Sequence, residues 1–321
     1  MIKTLSAHFF TCRSGWRSPP FPDREELHEV IEDPERGDVP LRGHLYRASH
    51  KLASARSLII LVHGLSSQPD SPYLSPYVLQ GLKEGWDVIS LALRGSIGEG
   101  VDHYHAGLTD DLYALIASER VAPYHELLII GFSLGGHVAL RYACRGADPR
   151  VSAVASICPP IDLRLTQQRL DQRVNYLYRR HLLSSLKRAY RMIWENATRA
   201  GTPLPSDLHE VLACRSIYDW DRLVVVPRFG FDSVEEYHRE VSLSAVSLRQ
   251  ARVPCLLLFA RHDPLISFSQ LSPTLSNSGA HMKVLTRGGH LSFPAVVDLE
   301  VGLEPSPLPA QLLAWMRQVN A

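Results

Sequence analysis

The residues Gly131-Phe132-Ser133-Leu134-Gly135 set a serine between two glycines. A serine hydroxyl attacks a carbonyl only when a general base takes its proton, and that base needs a third group to orient it. Two later stretches supply both. Asp263 stands in "RHDPLIS" and His290 in "RGGHLSF", each just past an apolar run. Serine, then acid, then histidine is one of the chain orders in which such triads occur. In this arrangement His290 takes the Ser133 proton, and Asp263 fixes the imidazole tautomer and stabilises the imidazolium. Acyl transfer also needs N–H donors for the charge that develops on the carbonyl oxygen. "HGLS" at 63–66 follows another apolar run. The backbone N–H of Leu65 is therefore expected to pair with that of Leu134, with Ser66 as the alternative to Leu65. Asp162, after "SICPP", is the rival acid. His63 precedes the serine and has no acidic partner in this order, so a structural role is expected of it.

A five-residue match of this kind arises about 0.1 times by chance in a chain this long. Its surroundings decide. An apolar run precedes it and the helical pattern "LGGHVALRYAC" follows. A strand–turn–helix of this kind lifts a serine above a sheet edge, and the glycines leave room where strand and helix crowd the turn. Apolar runs recur at 58–62, 87–92, 127–131, 151–157, 255–259 and 282–286, with helical patterns at about 74–84, 108–119 and 135–146 between the earlier ones. Continuous apolar strands are buried on both faces, so the fold class is α/β, with a mostly parallel central sheet flanked by helices. Residues 1 to about 55 read as irregular, with "LRGHLYRAS" an early strand. The alternation stops between about 162 and 250. There a long helix carries Leu182, Leu186, Ala189, Tyr190 and Ile193 on one face. This stretch is expected to be a helical lid inserted over the carboxyl edge of the sheet, where ligands bind. The whole chain, 1–321, is expected to form one domain.

Composition narrows the function classes. Apolar residues make up 45% and charged residues 21%, the balance of a globular protein rather than a disordered one. A formal net charge of +1 argues against a general nucleic-acid binder. The five cysteines (Cys12, Cys144, Cys158, Cys214 and Cys255) form no CxxC pair, which points to a reducing, cytoplasmic setting. The first residues lack a signal-peptide apolar core, and no stretch reaches the length that spans a bilayer. The expectation is a soluble protein.

Several stretches together resemble the α/β-hydrolase superfamily, and within it the bacterial YheT-like and eukaryotic EMB8-like hydrolases, relatives of the membrane-associated ABHD phospholipases. They are "HGL" at 63–65, "SPY" at 71–73, "LRG" at 93–95, "YHAGLTDDL" at 104–112, "GFSLGG" at 131–136 and "GGHLSF" at 288–293. The segment "YDWDRLVVVPRFGFDSVEEYHREVS" at 218–242 adds to them, and the likeness runs from about 25 to 317. The stretch "SSQPDSPY" departs from it, because a glycine-containing segment is the family's pattern after "HGL". The resemblance implies a carboxylic ester hydrolase acting on short- to medium-chain acyl esters, including monoacylglycerols or phospholipids. It places the triad on Ser133, Asp263 and His290 and requires no cofactor or metal. Acyl transfer to alcohols and amide cleavage are alternatives for the same triad. A silent ligand-binding protein is the alternative of another class.

Three further patterns allow two readings each. His103 and His105 with Asp110 and Asp111 could suggest a metal, but nothing completes a ligand set. The preferred reading places the two aspartates in a first helical turn, where the dipole favours them. Arg169, Arg173, Arg179, Arg180, Arg188 and Arg191 could hold an anionic headgroup or touch a membrane surface transiently. The plainer reading is the solvated face of an amphipathic helix. Tyr176, Tyr178, Trp194, Trp220 and Phe229 line an acyl pocket in one reading and form the core of the lid in the other.

Overall fold

The computed structural model describes residues 18–33, 37–49, 57–275 and 277–319. Eight strands form one sheet: β1 (Glu25–Asp33), β2 (Gly37–Tyr46), β3 (Ser57–Val62), β4 (Asp87–Ala92), β5 (Glu126–Phe132), β6 (Val151–Ile157), β7 (Cys255–Ala260) and β8 (His281–Leu285). Their spatial order is β1-β2-β4-β3-β5-β6-β7-β8. From β3 onward all neighbours pair in parallel, as the unbroken apolar runs required, and β3 to β7 are buried almost throughout.

The amino-terminal expectation needs correction. Residues 25–33 are not irregular but form an antiparallel hairpin with β2, the early strand expected at "LRGHLYRAS", and β2 pairs with β4. In β1 only Leu27 and Ile31 are buried; Glu25, Glu29 and Asp33 share their face and the exposed Val30 lies on the other, which breaks the alternating pattern. A charged outer strand discourages pairing with another chain, and the same charges hide it from a hydrophobicity reading. Cys12 and residues 1–17 lie outside the described residues, as do 34–36 and 50–56.

Helices α1 (Ser75–Lys83), α2 (Asp110–Ala117) and α3 (Leu134–Gly146) cross between β3 and β4, β4 and β5, and β5 and β6. Strand order reverses at β3, which lies between β4 and β5. Crossovers of one hand running in opposite directions from that point place α1 on one face and α2 and α3 on the other. The carboxyl ends of β3 and β5 therefore border the crevice where such sheets bind ligands.

Between β6 and β7 the chain is helical and has no strand. It carries α4 (Leu163–Asp171), α5 (Tyr176–Arg199), α6 (Leu208–Ala213), α7 (Ile217–Trp220), a π-helical turn (Asp221–Val225), α8 (Val226–Phe229), α9 (Val234–Val241) and α10 (Ala245–Leu248). Helix α5 buries Leu183, Leu186, Tyr190, Ile193 and Ala197, one stripe at three- and four-residue spacing. Two more helices follow, α11 (Phe268–Leu275) and α12 (Leu308–Gln318), and α12 packs on α1.

Candidate active site

Ser133 leaves β5 and opens α3 with φ 51° and ψ −120°, a conformation that non-glycine residues rarely hold. The space around it explains the glycines. A Cβ on Gly131 would strike the Gly135 carbonyl, and one on Gly135 would strike the carbonyls of Val62 and His63. The turn thus packs directly onto the end of β3, with the Ser133 side chain directed at His290. The Ser133 hydroxyl lies 2.9 Å from His290 Nε2, and His290 Nδ1 lies 2.8 Å from Asp263 Oδ2. With Nδ1 as the donor to the carboxylate, Nε2 is left to accept from the serine. The other Asp263 oxygen accepts the backbone N–H groups of Leu265 (2.7 Å) and Ile266 (3.0 Å). Burial by itself would raise the Asp263 carboxyl, but the His290 ring and those N–H groups hold it below the ordinary carboxylate value. Asp162, the rival acid, is instead the N-cap of α4 and accepts the Leu165 N–H.

The loop after β3 separates the oxyanion candidates. The Gly64 N–H donates to the Tyr73 hydroxyl (3.0 Å) and the Ser66 N–H to the Tyr104 hydroxyl (2.9 Å). Both are spent. Among the described residues no acceptor is recorded for the N–H of Leu65 or of Leu134, and both residues line the cavity beside Ser133. Ser66 stands at φ 58°, a conformation easier for glycine, where the family's pattern carries a glycine-containing segment. His63 is wholly buried behind this loop. Its Nδ1 donates to the Gly64 carbonyl (2.8 Å), and its Nε2 accepts from the Leu93 N–H (3.2 Å). Burial lowers it to about 4, so at neutral pH it is an uncharged brace.

Cys158, just past β6, lies under the triad at φ 49°. Its sulfur and donor atoms of Asp263 and His290 fall within 4.8 Å of one another. As a metal set these donors fit poorly: the carboxylate and the ring already serve each other, and burial drives the thiol well above its ordinary value. The His103–Asp111 stretch is likewise committed elsewhere. Asp110 and Asp111 open α2 as expected, but Asp111 is fully buried and accepts from Arg94 Nε (2.8 Å). Arg94 also bonds Asp33 and Asp102, and Arg228 grips Asp102 with two nitrogens (2.7 and 2.8 Å). His105 stacks against Phe229 at 4.2 Å.

The helical insert is tied to the loop that carries Asp263. Arg169 Nε donates to the Pro264 carbonyl (2.8 Å) and its Nη2 to that of Asp263 (3.2 Å). Asn175 reaches the same Pro264 carbonyl. Arg169 is therefore not part of a solvated face, whereas Arg173, Arg180, Arg188 and Arg191 are exposed. On α3, one turn beyond Ser133, the His137 ring bridges the carbonyls of Pro160 and Val241 at the two ends of the insert (2.8 and 3.0 Å). A cavity of about 690 Å³ opens between the loops and the insert, reaching Ser133 and His290 at its base. Tyr178 and Trp220 line it, as do Leu163, Leu170, Leu182 and Ile266; Tyr176, Trp194 and Phe229 do not.

The sequence does not single out Asn175, Arg94 or Arg228 by residue, and it marks Cys158 only as one of five cysteines and Arg169 only as part of an arginine stripe. "LRG" and "PRFGF" did mark the two arginines, but nothing local reveals that they share Asp102. A buried site of this geometry at the carboxyl edge of a doubly wound sheet defines a class of protein. The model for the alpha/beta hydrolase family matches residues 59–298, and the chain belongs to that family. It is 28% identical over 248 residues to YheT of Escherichia coli K12, whose name carries the word esterase. That match covers 75% of this chain and 72% of YheT. It is 26% identical over 256 residues to the embryogenesis-associated protein EMB8 of Picea glauca, covering 76% of the chain and only 55% of EMB8. Mouse phospholipase ABHD3 is 24% identical over 306 residues, covering 91% and 70%. Among solved structures, an esterase of Pyrococcus furiosus superposes with a TM-score of 0.51 at 16% identity, covering 85% and 90%. Among the described residues no helix is long and apolar enough to cross a membrane.

Proposed function

We propose that the chain hydrolyses carboxylic esters through an acyl-enzyme on Ser133. The observation that carries this reading is the unbroken line from Asp263 through His290 to Ser133, closing at 2.8 and 2.9 Å beneath a largely apolar cavity. His290 takes the serine proton as the hydroxyl attacks the ester carbonyl. The backbone N–H groups of Leu65 and Leu134 receive the oxyanion, and their lack of other partners supports that role. His290 then protonates the leaving alcohol and activates the water that releases the acid. The names of YheT and ABHD3 agree with ester cleavage, including that of phospholipids. The helices from α4 to α10 act as the lid, and the cavity beneath suits a short- to medium-chain acyl group. The four described cysteines are unpaired, in keeping with a cytoplasmic setting.

The test is turnover of p-nitrophenyl esters of graded acyl length by the wild type and by Ser133→Ala and His290→Ala. The reading predicts saturable hydrolysis by the wild type alone and a fluorophosphonate adduct on Ser133. No turnover of any ester together with no adduct would overturn it.

A further inference from the structure

A second aspartate–histidine pair faces the same cavity. Asp221 opens the π-helical turn and His238 lies on α9, with His238 Nε2 2.9 Å from Asp221 Oδ2. Both residues are more than nine-tenths buried, and both line the cavity from the insert side. Among the described residues no partner is recorded for the second Asp221 oxygen or for His238 Nδ1. Burial pushes the Asp221 carboxyl up from its ordinary value, with His238 pulling the other way. A buried ionisable pair is a poor source of stability, since apolar residues of similar size usually serve as well or better. This pair sits among Leu170, Ile217, Trp220 and Val225, where such a replacement would be easy. The π-helical turn is also a rare geometry that recurs at functional sites. Here it carries Asp221 into the cavity wall.

The pair borders the same cavity as Ser133 and His290. His238 is one turn before Val241, whose carbonyl meets His137, itself one turn along α3 from Ser133. We propose that Asp221 and His238 form a second polar subsite that receives a hydroxyl group of the substrate, across the cavity from the ester. A hydroxyl suits either open atom. It donates to the free carboxylate oxygen, or it pairs with Nδ1, accepting when the ring is protonated and donating when it is not. An alkyl chain leaves both atoms unpaired, and a carboxylate meets the charge of Asp221. The hydroxyl can belong to the acyl chain or to the leaving alcohol. The proposal rests on Ser133 being the nucleophile.

Two substrate series distinguish the sources. One is p-nitrophenyl alkanoates with a hydroxyl walked along the chain, against the unsubstituted esters. The other is a monoacylglycerol against the propyl ester of the same acid. In one series the wild type should favour the hydroxylated member by about tenfold in kcat/KM, despite its lower hydrophobicity. Asp221→Leu combined with His238→Phe should bring that ratio to one or below, and Asp221→Asn alone should lower it. Equal rates for paired substrates in both series overturn the proposal without any variant. A ratio that survives the double substitution overturns it as well, because a purely structural pair would lower both rates together. Failure of the esterase reading looks different: no ester is turned over and Ser133 takes no fluorophosphonate. In that event the affinity of Ser133→Ala for a long-chain diol, against the plain alcohol of equal length, decides the subsite. Equal affinities would then overturn it.

Discussion

Four of the six described non-glycine residues with positive φ, namely Ser66, Ser133, Cys158 and Leu291, stand on the carboxyl edge of the sheet. The helical insert facing them has none. Strained backbone persists only where its surroundings over-determine it, and here strands β3, β5, β6 and β8 each end in such a residue or lead to it. The insert presents the opposite condition. Leu177 is 74% exposed while also lining the cavity, and Val174 beside it is 70% exposed. One wall of the cavity is fixed by backbone collisions, and the other rests on helix packing and a few side-chain ties. That division suits an enzyme whose chemistry is constant and whose substrate fit is adjustable.

The largest effect expected at the rigid wall comes from Ser133→Ala. Loss of the nucleophile should lower kcat by about 10⁴-fold or more on any ester the wild type cleaves. The melting temperature should stay within about 2 °C, because the half-buried hydroxyl has one partner. Steady-state kinetics and calorimetry read the two outcomes. Retention of more than about one per cent of the activity would place the nucleophile elsewhere.

Next comes Gly135→Ala, which tests rigidity directly. Its new Cβ meets the carbonyls of Val62 and His63, both backbone atoms that move only with β3 and its loop. Overpacking of this kind costs about 3 kcal/mol, roughly 4–5 °C in Tm. Fluorophosphonate labelling of Ser133 should fall with it. The contrasting substitution on the insert, Leu177→Ala, should leave Tm unchanged and alter only KM for the longer acyl esters. If the two variants melt alike, the contrast between the walls fails.

The ties between the walls predict a smaller effect. Arg169→Met removes two hydrogen bonds to the carbonyls of Asp263 and Pro264 while keeping the apolar stem. The acid loop then loosens, and kcat should fall about tenfold with KM changed less than twofold. A change confined to KM would make Arg169 part of the substrate pocket instead.

The same contrast explains what could be read from the sequence. Strand β5, the elbow and the loops of Asp263 and His290 depend on local chemistry, so apolar runs, glycines and residue order disclosed them. Asp162 against Asp263 remained open because both follow strands. The helix starting at Leu163 spends Asp162 as its cap, which supports the choice of Asp263. Leu65 against Ser66 turned on one hydroxyl, that of Tyr104, 38 residues further on, which no local pattern connects to the loop. The arginine stripe misled in part for the same reason. Arg169 has the spacing of a solvated face, yet its partners arrive from a loop almost a hundred residues later. The hairpin strand β1 was hidden because an outer strand has one buried face, and its charges interrupt the alternation.

The smallest expected effect is on pH dependence, and it assigns acid sensitivity to the rigid wall. His63 is wholly buried, where burial disfavours its charged form; the neutral ring has Nδ1–H held by Gly64 and Nε2 receiving the Leu93 N–H, with the Ser96 hydroxyl also 3.2 Å from Nε2. Protonation turns Nε2 into a second donor aimed at that N–H. The folded value is about 4 against an ordinary 6.5, so below pH 6.5 the unfolded chain binds the proton first. The stabilisation is thus complete above about pH 7 and drains away as pH falls towards 4. At pH 5 the loss is about 2 kcal/mol, or a few degrees in Tm. His63→Gln keeps a donor and an acceptor but cannot titrate. Its Tm lies below that of the wild type at pH 7, and the gap should narrow steadily between pH 6.5 and 4. A gap that stays constant across that window would remove His63 as the acid-labile point and shift attention to the insert.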